Sequence, residues 1–240
     1  MSNLSRIQEI NSDLRECIEK AESLPDASSG SGDNTFIQLY ETGILSNSEI
    51  NSLPNDFCRN WNYIKGLDIP SVTAIGTYTC YSCSKLTEVN APNCTSIGGY
   101  GFYNCSALES INCVNIKSID SSVFRGCAAL TNLTFLEATS ISTYGLRACT
   151  SLERLDFAKM SSIGNNAFLE SSALVTVIIR TDKVCTLSNK NAFSSTPIET
   201  GTGYIYVPQS LLSDYQSASN WSTYAAQIRA IEDYPEITGG

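Results

Sequence analysis

The chain contains no histidine. That removes the usual general base, the serine and cysteine hydrolase dyads and triads, and the commonest metal ligand. Basic residues are scarce as well: 15 Lys and Arg stand against 24 Asp and Glu in 240 residues, a formal net charge of −9. Nucleic-acid binding depends on neutralising phosphates with Lys and Arg, so no nucleic-acid partner is expected. Charged residues make up only 16% of the chain, and Ser, Thr and Asn supply the polarity instead. No apolar run approaches the roughly 20 residues of a membrane span, so no membrane insertion is expected. The first residues, MSNLSRIQEINSDLRECIEK, lack an apolar h-region and carry acids early. No secretory signal is expected, and the chain reads as soluble.

What is present is a repeat. SALESINCVNIKSIDSSVFRGC, AALTNLTFLEATSISTYGLRAC and SLERLDFAKMSSIGNNAFLESS superpose without gaps at an offset of about 22 residues. Five apolar columns follow. They are Ile64, Leu86, Leu108, Leu130, Leu152 and Leu174; Leu67, Val89, Ile111, Leu133, Leu155 and Val177; Ile69, Ala91, Cys113, Phe135, Phe157 and Ile179; Leu53, Ile75, Ile97, Ile119, Ile141 and Ile163; and Cys58, Cys80, Phe102, Phe124, Leu146 and Phe168. The spacing L-x-x-L-x-L is that of a leucine-rich repeat, in which alternate residues of a short strand share a face. One coil cannot bury its apolar edge alone, so the coils must stack.

The stretches SIGGYGFYNC (96–105), SIDSSVFRGC (118–127) and SIGNNAF (162–168) resemble the BspA-like class of bacterial leucine-rich repeats over about residues 50–198. The resemblance implies a non-enzymatic protein of the bacterial cell surface that acts in protein binding and cell adhesion. Against that address stands the missing signal. The two ends of the chain are also similar to tail-associated structural proteins of phages and prophages, which assemble in the cytoplasm; this implies a phage or prophage tail component as an alternative, in the cytoplasm or virion.

The expected fold is an α+β repeat: a right-handed leucine-rich-repeat solenoid of short parallel strands in about seven coils. Three parts are expected. Residues 1–34 form a helical arm and a Gly/Ser linker, residues 35–208 the solenoid with its N-cap at 35–49, and residues 209–240 a C-terminal helical cap. The arm's seam is Leu4, Ile7, Ile10, Leu14, Cys17, Ala21 and Leu24, coiled-coil spacing over about three heptads, so residues 4–24 are a candidate homo-oligomer contact or a helix folded back on the protein. At the other end the period slips after Phe168. YIYVP (204–208) reads as an edge strand, and the segment from Ser210 to Tyr234 reads as helix, with Pro208 and Asn220 as starts.

Candidate binding residues lie on the outward columns of the inner, concave sheet: Asp68, Glu88, Asn90, Asn112, Asn132, Thr134, Arg154 and Asp156, for a protein or glycan ligand. A second candidate is an aromatic patch of Tyr78, Tyr81, Tyr100, Tyr103 and Tyr144 on the turn side, suited to an interface or sugar stacking, or else to packing against the arm or cap. Ten cysteines complete the inventory. Cys83, Cys105, Cys127 and Cys149 form one ladder column, while Cys58, Cys80, Cys94 and Cys113 fall in core columns. Buried thiols acting as small hydrophobes are the plainer expectation; disulfides, a metal site and redox chemistry are the alternatives. No catalytic residue, metal or cofactor is assigned.

Overall fold

The computed structural model describes residues 42–238, together with 19, 20 and 39, and the side chains of all of these except 132, 134 and 238. Apart from 19 and 20, the arm and linker expected over 1–34 lie outside the described residues.

Each coil carries two short strands on separate tracks. The first track holds β1 (Ile44–Ser46), β3 (Gly66–Asp68), β5 (Glu88–Asn90), β7 (Ser110–Asn112), β9 (Asn132–Phe135), β11 (Arg154–Phe157), β13 (Thr176–Ile179), β15 (Tyr204–Val207) and β16 (Ile228–Ala230). The second holds β2 (Ser52–Leu53), β4 (Ala74–Ile75), β6 (Ser96–Ile97), β8 (Ser118–Ile119), β10 (Ser140–Ile141), β12 (Ser162–Ile163) and β14 (Thr186–Leu187). The first track forms two sheets, β1-β3-β5-β7 and β9-β11-β13-β15-β16. Pairing is parallel, and the register is the sequence period: Gly66 faces Glu88, and Glu88 faces Ser110. This is the leucine-rich-repeat architecture that the columns imply.

The core lies between the tracks. All five apolar columns are buried or nearly so, Ile111 being the partly exposed member. In the fifth column, Phe102 and Phe124 stack in parallel with ring centroids 5.8 Å apart, and Phe168 meets Phe193 at 4.9 Å. At about 1.5–3 kcal/mol per buried apolar side chain, these columns supply most of the favourable free energy.

Between the second track and the next sheet strand, each coil runs through an irregular arc. Its backbone is satisfied by the following coil. Tyr78, Cys80 and Ser82 donate their N–H groups to the carbonyls of Gly99, Gly101 and Tyr103, and Tyr100, Phe102 and Asn104 do the same one coil on. Two residues per arc take left-handed backbone to aim these groups: Asp56, Tyr78, Tyr100, Ser122, Tyr144 and Asn166 in one column, and Asn60, Ser82, Asn104, Gly126, Ala148 and Glu170 in the other.

Both ends differ from the sequence expectation. The sheet starts earlier, because Ile44, Leu45 and Ser46 pair with Gly66, Leu67 and Asp68 one period on. Residues 35–49 therefore include a strand; Thr42 occupies the first apolar column and hides the repeat. At the C-terminal end, β15 is not the edge strand, since β16 pairs beside it in parallel. The expected helix is broken into a 3-10 turn (Gln209–Leu211), α2 (Leu212–Ser217) and a second 3-10 stretch (Trp221–Gln227) before β16; α1 (Pro197–Thr200) precedes β15, and α3 (Pro235–Thr238) is the last element among the described residues. The break comes where Ala218 turns extended and Asn220 takes φ 64°. Asn220 Nδ2 there donates to Leu187 O at 2.7 Å, pinning the segment to the last coil. Pro208 and Asn220 do precede helical stretches, although neither side chain caps one. Tyr215, Trp221 and Tyr224 close the core, with Trp221 Nε1 donating to Cys185 O at 2.6 Å and Tyr224 Oη donating to Lys190 O.

Candidate functional site

On the N-terminal half of the first track, a groove of about 720 Å³ opens over β1, β3, β5 and β7. A polar ladder crosses it at the coil spacing. Ser46 Oγ donates to Asp68 Oδ2 at 3.0 Å, Asn90 Nδ2 donates to Asp68 Oδ1 at 2.8 Å, and Asn112 Nδ2 donates to Asn90 Oδ1 at 2.8 Å. Chained amides of this kind fix one another's rotamers, so the floor is stiff. Beside it, Glu88 is exposed and its carboxylate has no hydrogen-bond or ion-pair partner among the described residues. Gly66 makes room for it: a Cβ there would come within 3.3 Å of Glu88 Cγ and Oε1. Asp68, Glu88, Asn90 and Asn112 therefore share one open site.

Arg154 and Asp156 do not join them. Arg180 grips Asp156 with two bonds of 2.8 Å, from Nε to Oδ1 and from Nη2 to Oδ2, and the carboxylate raises the Arg180 pKa. Arg154 approaches Asp156 at 3.4 Å and donates to Ile237 O at 2.6 Å. The chain's own last segment thus lies on this half of the face. Ile178, in an outward column, is fully buried, and Tyr206 beside it packs edge-on against Tyr234 at 5.3 Å. Asn132 and Thr134 sit in register with Arg154 and Asp156 on β9; their side chains are outside the described set. Sequence reasoning missed Arg180 and the covering segment. The signal for Arg180 was local, because it follows β13 directly and reaches back one coil.

The five tyrosines do assemble on the arc. Tyr78 stacks on Tyr100 at 4.8 Å and Tyr81 on Tyr103 at 4.7 Å, with the ring planes nearly parallel within each pair. Arg59 closes one end, with Cζ 5.0 and 5.1 Å from the Tyr78 and Tyr81 centroids. Arg125 lies between Tyr103 and Tyr144, 5.3 Å from each, and Arg147 meets Tyr144 from beyond at 5.3 Å.

The nine described cysteines are buried, and no disulfide joins any two of them. The ladder column has a uniform task. Cys83, Cys105, Cys127 and Cys149 donate Sγ–H to the carbonyls of Cys58, Cys80, Phe102 and Phe124, each 25 residues earlier, at 2.8–3.1 Å. Ser171 continues the column, its Oγ donating to Leu146 O at 2.8 Å. Burial pushes the Cys127 thiol up and the Cys149 thiol to about 12. A protonated thiol is the form least able to bind metal or attack a disulfide. Cys58, Cys80 and Cys83 have Sγ atoms within 4.8 Å of one another, the set among the described residues able to share a soft metal ion. All three are buried members of repeat columns.

The family model described as "BspA type Leucine rich repeat region" matches in six copies, over residues 51–175 and 95–215. No curated protein matches the chain. Among solved structures, the chain is similar to the pneumococcal vaccine antigen PcpA, with 15% identity, TM-score 0.52, and coverage of 78% of this chain and 42% of that one. It also matches a leucine rich cell surface protein from Faecalibacterium prausnitzii A2-165 at 20% identity and TM-score 0.41, covering 67% and 59% of the two chains. A leucine-rich repeat protein from Bacteroides ovatus ATCC 8483 matches at 25% identity and TM-score 0.37, covering 58% and 48%. The chain thus spans about half the length of these proteins. They give the phage-tail alternative no support. No helix among the described residues is long and apolar enough to cross a membrane.

Proposed function

Because the chain belongs to the BspA-type leucine-rich-repeat family, we propose that it is a non-enzymatic recognition module. It binds an extended segment of a partner protein in the groove over β1–β7 and thereby mediates adhesion at a bacterial cell surface. Leucine-rich-repeat proteins generally bind proteins, and this family is generally not enzymatic. The observation that carries the reading is the pairing of a stiff polar floor with one uncommitted carboxylate, Glu88. An extended peptide lying across the strands rests on the ladder as a rigid floor and places a Lys or Arg against Glu88. The other half of the face is occupied by the chain's own residues 231–237, which confines the partner to the groove.

The test is selection from a random peptide display library on the immobilised full chain. Enriched peptides are expected to carry a recurrent Lys or Arg. Glu88→Lys should weaken them roughly tenfold, since it exchanges an attraction for a repulsion of similar size. Either no enrichment, or enriched peptides that bind the Glu88→Lys protein equally well, refutes the groove as the site.

A further inference from the structure

We infer that the tyrosine–arginine arc is a second binding site, for an acidic polysaccharide. The first observation is backbone cost. Asp56, Tyr78, Tyr100, Ser122, Tyr144 and Asn166 share one column with φ between 52° and 60°. Asp, Asn and Ser tolerate left-handed backbone comparatively well, whereas a bulky ring there is an outlier. Strain of this kind, held where smaller residues serve in sister coils, points to a use. Stacking accounts for Tyr78 and Tyr100, which lie on each other. It does not account for Tyr144, whose column neighbours are Ser122 and Asn166 and whose ring meets Arg125 and Arg147 instead.

The second observation is what the arc displays. The stacked rings cover one another's faces, and Arg59 covers the end faces of Tyr78 and Tyr81. Solvent therefore meets ring edges, the positive part of the aromatic quadrupole, and phenol hydroxyls. The hydroxyls of Tyr78, Tyr81, Tyr100 and Tyr103 have no hydrogen-bond partner among the described residues. The two carboxylates in the left-handed columns are already taken: Asp56 pairs with Arg59 at 2.8 Å and Glu170 with Arg147 at 2.9 Å. Arg125 has no carboxylate partner among the described residues. Phenol hydroxyls both donate and accept, but the ring edges are positive and Arg125 carries a charge that no described carboxylate neutralises, so the complement is anionic and rich in oxygen.

The third observation selects the kind of anion. The core of a protein interface is more apolar than its rim, although Tyr and Arg are common anchors in it. The exposed large hydrophobic residues among those described are Tyr63, Leu136 and Val175, none of them in the tyrosine columns. A pair of phenols occurs in two successive coils, and Arg125, Tyr144 and Arg147 continue the same columns over the next two, which suits a polymer lying along the solenoid. A uronic-acid polysaccharide has both properties. The site is on the arc and the peptide groove is on the sheet, so this inference stands apart from the proposed function.

The experiment is affinity electrophoresis and calorimetry of the full chain against hyaluronan and polygalacturonate, with dextran as the neutral polymer and polyglutamate as the non-sugar polyanion. Retardation by at least one uronate polymer, but not by dextran, is expected, weakening as salt is raised. Changing Tyr78, Tyr81, Tyr100 and Tyr103 together to Phe keeps the stacks and removes only the hydroxyls. It should lower affinity by about tenfold or more with an unchanged thermal midpoint. Arg125→Gln should cost about tenfold as well. The inference is overturned if neither uronate polymer binds, if dextran binds equally, or if both variants bind like the parent. It is also overturned if polyglutamate binds as tightly as the sugars, because the surface would then read charge alone and fit an acidic protein.

Discussion

Replacing Cys127 by Ser and by Ala separates two accounts of the thiol column. Cys127 is 0% exposed, and its Sγ donates to Phe102 O at 3.1 Å. That carbonyl also accepts from Cys105 N at 3.2 Å, so removing the thiol leaves it half satisfied rather than orphaned. S–H is a weak donor, and the lost bond belongs near the low end of about 0.5–1.5 kcal/mol. The void left by the sulfur adds about 1 kcal/mol. Cys127→Ala should therefore cost roughly 1.5–2 kcal/mol, or about 3–8 °C in the midpoint of a chain this size.

Cys127→Ser should cost less than Ala, and the reason is inside the molecule. At the next position but one in this column, Ser171 Oγ donates to Leu146 O at 2.8 Å and accepts from Cys149 N at 3.2 Å. A hydroxyl is thus fully satisfied in this environment, and Cys105 N is the equivalent donor for residue 127. If the thiol served only as apolar volume, the order would invert, because a hydroxyl without partners in a dry core costs about 1–3 kcal/mol. Urea unfolding of the three proteins, compared at a common m-value, reads the order directly. A serine variant less stable than the alanine variant refutes the donor account.

Other outcomes follow from the same packing. A water-soluble thiol reagent should find few groups in the native protein and close to all ten of the chain's cysteines after denaturation without reductant; a shortfall in the denatured protein would reveal a disulfide. Burial holds Cys149 and Cys185 at about 12 against an ordinary 9.0. Unfolded thiols therefore lose their protons first as pH rises, and stability present below about pH 9 should fall between there and about 12, by about 1.4 kcal/mol per pH unit for each such thiol. A urea midpoint that stays constant from about pH 8 to 10.5 contradicts this. Asp156→Asn should speed amide exchange in residues 231–237 by loosening Arg154 and Arg180, at a stability cost below about 1.5 kcal/mol because all three groups are part-exposed. Unchanged exchange there would leave the clamping to the Tyr206–Tyr234 contact and the hydrogen bond from Gln209 N to Glu232.

The repeat was legible because burial leaves a periodic trace. Every apolar column read from the sequence maps onto one layer of core, and the outward columns pair in the register the offset implies. Reading stopped where one residue broke the period. Thr42 in an apolar column concealed β1, and the helical pattern after YIYVP concealed β16, which takes the sheet edge from β15. A helical pattern over 210–234 was misleading because Tyr215, Trp221 and Tyr224 are spaced to cover a coil end, not to line one helix. For the candidate site, the columns located Asp68, Glu88, Asn90 and Asn112 together. Nothing periodic announces Arg180, which follows β13 and reaches back to Asp156, or Ile237, which meets Arg154 from beyond the repeat.

The composition itself sorts binding residues from stacking residues. The chain is rich in Ser, Thr and Asn because adjacent coils are joined through them. Thr73, Thr95, Thr139 and Ser161 hydroxyls donate to the carbonyls of Asn51, Thr73, Lys117 and Thr139, each 22 residues earlier. Asn93 and Asn115 reach Pro70 and Pro92 in the same way. A side chain already bonded to the next coil has little left for a partner, and its loss is felt by the fold. Asn90 is such a residue, since its Nδ2 holds Asp68 and its Oδ1 receives Asn112. Glu88, two residues away on the same strand, is bonded to neither neighbour. Asn90→Ala should therefore lower stability by about 1 kcal/mol and weaken groove peptides only through a looser floor. Glu88→Gln should do the reverse, leaving the urea midpoint in place while removing the preference for basic peptides. If both substitutions shift stability and binding in parallel, the face does not divide this way, and Glu88 belongs to the scaffold.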